Sequence, residues 1–137
     1  MNKFFVELGG KEFEICYNTK AMVELEKICD NLSNIGEWIN NADSDSKKFT
    51  KLCNLVTTVI NGAIYRHNTE IILGLKEGEK KPFVDDELIA CIATPAELLK
   101  ASETVFDCIG TSIRFRMPDG APEPDPDLLE TESEKKD

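Results

Sequence analysis

The chain has 137 residues, of which 41% are apolar and 31% charged, and its formal net charge at pH 7 is −10. This length suits one domain with one core, and no apolar run approaches the roughly 20 residues that a membrane span needs. So acidic a chain has no basic face to follow a phosphate backbone, which argues against partners that are nucleic acids or membranes.

The first predicted element is a two-stranded β-hairpin. Apolar and polar residues alternate on both sides of Gly9-Gly10, and two glycines accept the positive φ angles that tight hairpin turns require. The resulting register sets Val6 opposite Phe13. It gathers one apolar face from Phe4, Val6, Leu8, Phe13, Ile15 and Tyr17. Because a lone ribbon is marginal in water, we expect the first and last predicted helices to cover this face.

Two helices are expected after the hairpin. Asn18 or Thr19 is predicted to cap the first helix, which should pack on the hairpin. Its apolar stripe comprises Met22, Leu25, Ile28, Cys29 and Leu32. Ser33 is expected to cap a short second helix. That helix carries Ile35, Trp38 and Ile39.

The strongest helical period follows a polar loop over residues 40–46. Its stripe comprises Phe49, Leu52, Cys53, Val56, Val59, Ile60, Ala63 and Ile64. The β-branched residues at 57–60 lower helix propensity by a few tenths of a kcal/mol each, which sustained periodicity outweighs. Residues 68–76 are predicted to form a separate helical turn or two. Gly74 and Gly78 then introduce an exposed, charged loop.

Two further helices are predicted. Asp85 is expected to cap a short one, with Leu88, Ile89 and Ile92 facing inward. Thr94-Pro95-Ala96-Glu97 is a reciprocal capping box with proline at the first helical position, and it opens the last helix. The inward residues of this helix are Leu98, Leu99, Ser102, Val105, Phe106, Ile109 and Ile113. The helix should end near Arg116, because Pro118 cannot continue it.

The predicted fold class is mainly α. We expect a single helical domain over residues 1–117, with five or six helices and an N-terminal two-stranded β-hairpin. Residues 118–137 contain four prolines and carry −6 of the net charge. This composition predicts a disordered acidic tail.

No pattern of residues in the sequence indicates a particular reaction. The five cysteines are odd in number and widely spaced, without a C-x-x-C pair, which favours reduced structural thiols over a disulfide framework or a zinc site. His67 is the only histidine and is expected at a helix end, where the helix dipole favours a cation. No set of nucleophile, base and orienting group is evident. We therefore expect no catalytic residues, no cofactor, no metal and no enzymatic activity.

Two aromatic residues are the candidates for contacts with a partner. Phe5 is the one apolar residue on the outer face of the predicted hairpin, among Glu7, Glu12 and Glu14. Trp38 is the sole tryptophan. Exposed aromatics commonly anchor interfaces, although Trp38 could instead pack at the edge of the core.

The order of these elements carries a resemblance to a known family. The stretches concerned are the ribbon with Gly9-Gly10-Lys11-Glu12-Phe13, the helix entry at 17–26, the 55–66 helix with Asn61-Gly62, the turn at 84–88, the cap at 94–98, and a last helix that runs into a polar tail. Over residues 3–117 the chain resembles the tail assembly chaperones of long-tailed bacteriophages and prophages of Gram-positive bacteria.

The resemblance implies a protein that binds the phage tape measure protein and keeps it soluble until the tail tube forms around it. Such a protein works in the host bacterial cytoplasm and is absent from the mature virion. In many members a frameshifted longer product recruits the tail tube protein. Coating one long partner also leads us to expect weak self-association. The alternatives are another phage structural or adaptor protein, or an acidic host-directed inhibitor that mimics DNA.

Overall fold

The computed structural model describes residues 3–29 and 31–115, and within them the predicted fold class is confirmed. Two strands form an antiparallel hairpin, and five α-helices follow. The elements are β1 (Phe4–Leu8), β2 (Lys11–Ile15), α1 (Thr19–Cys29), α2 (Ile35–Asn40), α3 (Asp45–Ile72), α4 (Asp86–Ile92) and α5 (Pro95–Phe115), with a 3-10 turn at Leu32–Asn34. The predicted disordered tail at 118–137 lies outside the described residues.

The 28-residue helix α3 is the centre of the fold. It packs against α1, α2, α4, α5 and β2. The predicted stripe is core, but burial is broader than one stripe, since Leu55, Thr57 and Gly62 are buried as well. The predicted break near residue 68 is wrong, because α3 continues to Ile72. No glycine or proline interrupts that stretch, and an ion pair between Arg66 and Glu70 at 3.3 Å supports it.

The hairpin has the predicted register, with Val6 opposite Phe13. Gly9 and Gly10 have φ angles of 61° and 82°, as a tight turn of this kind requires. The apolar face of the ribbon lies mainly on α5, which supports β1, and on α3, which supports β2. The expectation that α1 covers the hairpin is therefore wrong, since the main packing partner of α1 is α3.

The segment that joins β2 to α1 crosses α3 at Gly62. The backbone N–H of Cys16 donates to the Val59 carbonyl at 3.0 Å, and Asn18 Nδ2 donates to the Gly62 carbonyl at 3.0 Å. A Cβ atom on Gly62 would collide with the Cys16 carbonyl oxygen and stand 3.0 Å from the Cβ of Ala21. Glycine at position 62 therefore permits the close approach of the two backbones.

Helix caps follow the sequence closely, with one correction. Asn18 Oδ1 accepts from the Ala21 N–H at 2.9 Å and so caps α1. Asp85 Oδ1 accepts from the Leu88 N–H at 2.9 Å and caps α4. Ser33 is not a cap, because Asn31 Oδ1 accepts from the Ser33 N–H at 3.0 Å and starts the 3-10 turn instead.

The capping box of α5 forms as predicted and also holds the hairpin turn. Thr94 Oγ1 accepts from the Glu97 N–H at 3.1 Å, and Glu97 Oε1 accepts from the Thr94 N–H at 2.9 Å. The same carboxylate accepts from the Gly9 N–H at 3.1 Å. These backbone donors of Thr94 and Gly9 lower the pKa of Glu97 below its ordinary value.

Several residues expected inside are exposed. They are Ile28 on α1, Leu88 and Ile92 on α4, and Leu99 and Phe106 on α5. On α1, α4 and α5 the buried stripe is therefore narrower than predicted, and on α1 and α5 it includes the small residues Ala21, Ala101 and Cys108. In α4 only Ile89 is buried, because this short helix packs chiefly on α3.

Replacing Gly62 with alanine should destabilise the protein by about 1–3 kcal/mol, because the added methyl group overpacks a backbone crossing. Gly36→Ala is the matched control, since its Cβ would meet nothing within 4 Å in the helix α2. That change should be neutral or stabilise by about 0.5 kcal/mol. Urea unfolding of both variants measures the contrast, and equal midpoints would show that the crossing is not close-packed.

Glu97 should contribute to the pH dependence of stability. Its folded-state pKa is lowered, so its contribution is present above the ordinary glutamate pKa of about 4.3 and is lost as the pH falls through the folded value. Glu97→Gln should lower the urea midpoint at neutral pH, and the difference from the parent should shrink in acid. The control Glu103→Gln removes one charge from the same helix; a difference for Glu97→Gln that stays constant with pH would contradict the assignment.

Candidate partner-binding surfaces

The outer face of the hairpin presents Phe5 among carboxylates, as the sequence predicted. Phe5 is 44% exposed and lies opposite Glu14, while Glu7 lies opposite Glu12. Like charges directly opposite each other destabilise a strand pair, so this face is not optimised for the stability of the isolated chain. An exposed aromatic ring bordered by negative charge suits a partner that is both apolar and basic.

Trp38 is placed differently from Phe5. It is half-buried at the edge of the core. Lys51 Nζ lies 5.1 Å from the centroid of its ring and donates to its carbonyl oxygen at 2.6 Å. These contacts hold Trp38 where α2 meets α3 and favour the alternative of a core-edge residue. Phe5 and Trp38 lie on elements that pack on different helices, α5 and α3, and so do not form one obvious surface.

Among the described residues, the most exposed apolar cluster lies at the C-terminal end of α3, and it was not predicted. We call Ile72, Leu73 and Leu75 the α3 tip; their exposed fractions are between 65% and 73%. The buried residues of α3 end at Ala63, although the helix continues for nine more residues. The tip therefore extends beyond the part of α3 that is enclosed by other elements.

A well-formed helix ending orients the α3 tip. The N–H of Gly74, at φ 76°, donates to the Ile71 carbonyl at 3.1 Å, and the N–H of Leu75 donates to the Glu70 carbonyl at 2.8 Å. This is the Schellman arrangement, in which the residue at the position of Leu75 usually packs on an apolar residue one turn back. In this protein the corresponding position is occupied by Glu70, which is charged and pairs with Arg66 and Lys76. Leu75 consequently remains exposed.

The loop after the α3 tip is fastened to α3 by polar side chains. Asn68 exchanges two hydrogen bonds with the backbone of Lys81, at 3.1 and 2.8 Å. Asn61 does the same with Val84, at 2.7 and 2.9 Å. His67 was expected at a helix end, but it lies within α3, and its Nε2 is 2.8 Å from the Glu79 carbonyl. These hydrogen bonds hold the loop that follows the α3 tip against α3.

Sequence reasoning missed the α3 tip because it searched for exposed aromatic residues. One signal was available: Leu73 and Leu75 flank Gly74, a residue that ends a helix. Apolar residues on both sides of such a glycine need a packing partner. Only the tertiary structure shows that none of the described elements covers them.

The described residues include cysteine and carboxylate side chains, the groups that could bind a metal ion or act as nucleophiles. No group of three or more His, Cys, Asp or Glu side chains in this part of the chain could hold a metal ion. Cys29, Cys53, Cys91 and Cys108 lie in helices, and burial raises the pKa of Cys53 and Cys108, which slows thiolate reactions. Cys91 is exposed, and Cys16 Sγ lies 3.9 Å from Arg66 Nη1. No helix in residues 3–29 and 31–115 is long and apolar enough to span a bilayer.

Comparison with known proteins provides no relative from which a role could be transferred. No protein-family model, curated protein or solved structure matches the chain. A functional assignment therefore depends on the order of the elements and on the chemistry of the exposed surfaces.

Asn61 and Asn68, which hold the loop after the α3 tip, should differ in how much they contribute to the free energy of unfolding. Asn61→Ala leaves the half-buried backbone of Val84 without two hydrogen bonds and should cost about 1–3 kcal/mol. Asn68→Ala should cost less, because water can reach the exposed backbone of Lys81. Hydrogen exchange at the Val84 amide should accelerate in the Asn61 variant, and unchanged exchange there would show that the side chain does not hold the loop.

Proposed function

We propose that this protein is a tail assembly chaperone of a long-tailed phage or prophage, which binds the tape measure protein and keeps it soluble. It acts by binding and not by catalysis, and it needs no cofactor. The order of hairpin, helices and caps over residues 3–117 supports the family. The observation that carries the binding role is the α3 tip.

The α3 tip supplies what such a chaperone needs. A tape measure protein is a very long helical chain whose apolar stripe has nothing to pack on before the tail tube forms. Three large apolar side chains, held on a fixed support with exposed fractions of 65–73%, offer a surface for that stripe. Exposed apolar groups concentrated in this way mark interaction sites more often than scattered ones do.

The charge of the protein supports the same role. A complex formed through apolar contacts remains in solution only if the outer surface repels other complexes, and a net charge of −10 on each bound copy provides that repulsion. Each contact can be weak, because many copies bind along one long partner.

Two other surfaces are secondary candidates for contact with the tape measure protein. Phe5, with its acidic surroundings, is a second candidate contact for an apolar and basic segment. Trp38, being half-buried, is a weaker candidate. A frameshifted longer product would bring in the tail tube protein. We place the protein in the host cytoplasm and outside the mature virion.

The test is co-expression with the tape measure protein encoded beside it in the same genome. The parent protein should keep the tape measure protein in the soluble fraction and copurify at more than one copy per chain. The triple variant Ile72→Ser, Leu73→Ser, Leu75→Ser should weaken the binding of each copy about tenfold or more, which corresponds to a loss of roughly 1.4 kcal/mol for the three side chains together, and the soluble complex should decrease accordingly.

The matched control is the double variant Leu88→Ser, Ile92→Ser, which removes exposed apolar residues from α4 without changing the α3 tip. It should behave like the parent. If the parent protein leaves the tape measure protein insoluble, the chaperone role is wrong and a structural or adaptor role becomes the better explanation. If both variants lose the complex equally, the α3 tip is not the specific site.

A further inference from the structure

The strand β1 has an edge with unused hydrogen-bonding groups. In an antiparallel hairpin with a two-residue turn, the pair that flanks the turn is hydrogen-bonded, and bonded and non-bonded pairs then alternate. Leu8 and Lys11 flank the turn, so Phe5 and Glu7 belong to non-bonded pairs. Their backbone N–H and C=O groups point away from β2. No other described residue hydrogen-bonds to them.

The edge of β2 is protected by its charges. The outward backbone groups there belong to Glu12 and Glu14. A strand of a second copy that paired on this edge would place carboxylates against carboxylates. Natural sheets discourage pairing in this way, with charged residues along an edge.

The edge of β1 differs because it is self-complementary. From this we infer that two copies of the chain join through β1, antiparallel, into one four-stranded sheet, with Phe5 opposite Phe5 of the second copy. In this register the exposed Lys3 lies opposite Glu7 of the second copy, and the same ion pair forms again across the two-fold axis. The junction then holds an aromatic pair between two opposite-charge pairs, both of which stabilise neighbouring strands.

Other registers of the same edge are less favourable. A shift that centres the axis on Val6 sets Phe5 opposite Glu7, which loses both the aromatic pair and the ion pairs. A further shift sets Glu7 opposite Glu7, and like charges then repel. The register centred on Phe5 also keeps the inner face apolar, since Phe4 then lies opposite Val6 of the second copy.

The helices below the sheet are compatible with this junction. Because β1 lies on α5 and β2 lies on α3, joining two copies through β1 makes their α5 helices neighbours. Leu99 and Phe106, seven residues apart, share one side of α5 and are both exposed.

The association should be weak. One short strand edge with two ion pairs and part of one helix buries less than the roughly 1,200 Å² of a standard stable interface. The dimer should therefore form at high protein concentration, as when many copies gather along one partner. This inference does not depend on the proposed function, since it concerns the free protein alone.

A charge exchange tests the inference on the full chain. Lys3→Glu places two acidic pairs at the junction, and Glu7→Lys places two basic ones, so either variant alone should associate about tenfold more weakly or worse. An equimolar mixture of the two restores opposite charges at both positions and should associate at least as well as the parent. Sedimentation velocity over a range of concentrations measures all three samples.

The matched control is Glu26→Lys, which makes the same change of charge at an exposed position on α1 instead of on the hairpin, and should leave self-association close to that of the parent. Hydrogen exchange at the Phe5 and Glu7 amides should slow as the parent concentration rises. A mixture that associates no better than either variant, or exchange that does not depend on concentration, would overturn the inference. Loss of dimerisation with the tape measure complex intact would leave the proposed function standing.

Discussion

The crossing of the Cys16–Asn18 segment over α3 is the constraint on which the rest of the structure depends. The segment lies so close to the helix that position 62 has no room for a side chain. Two carbonyls of α3, those of Val59 and Gly62, accept hydrogen bonds from it. This contact fixes where β2 ends and where α1 begins. The hairpin and α1 consequently lie on different parts of the central helix.

Asparagine side chains form many of the hydrogen bonds that hold irregular segments against α3, a role that neighbouring strands have in other folds. An asparagine carries both a donor and an acceptor, so one side chain can satisfy the N–H and the C=O of a single backbone residue. Asn61 and Asn68 hold Val84 and Lys81 against α3 in this way. Asn18 uses its oxygen to cap α1 and its nitrogen to bind the Gly62 carbonyl of α3 at the crossing. Irregular segments next to α3 are thereby ordered without further strands.

The distribution of apolar surface fits a protein that binds. The buried part of α3 stops nine residues before the helix does, and the exposed tip is supported by a Schellman ending and a fastened loop. The carboxylates of the hairpin lie on the opposite side of the ribbon from the core, where they cost some strand stability. Both features are explained if other chains complete the surface.

The sequence by itself determined the elements whose signals are local. The Gly9-Gly10 turn, the caps at Asn18, Asp85 and Thr94, and the α3 stripe depend on interactions within a few residues, so patterns of residue type were sufficient. Tertiary structure decided the rest: that Gly62 is a crossing point, that α1 leaves the hairpin for α3, that Leu88 and Leu99 are exposed, and that Ile72, Leu73 and Leu75 have no cover. Each of these depends on which elements approach each other in space, and a helical period shows an apolar side without showing whether anything packs on it.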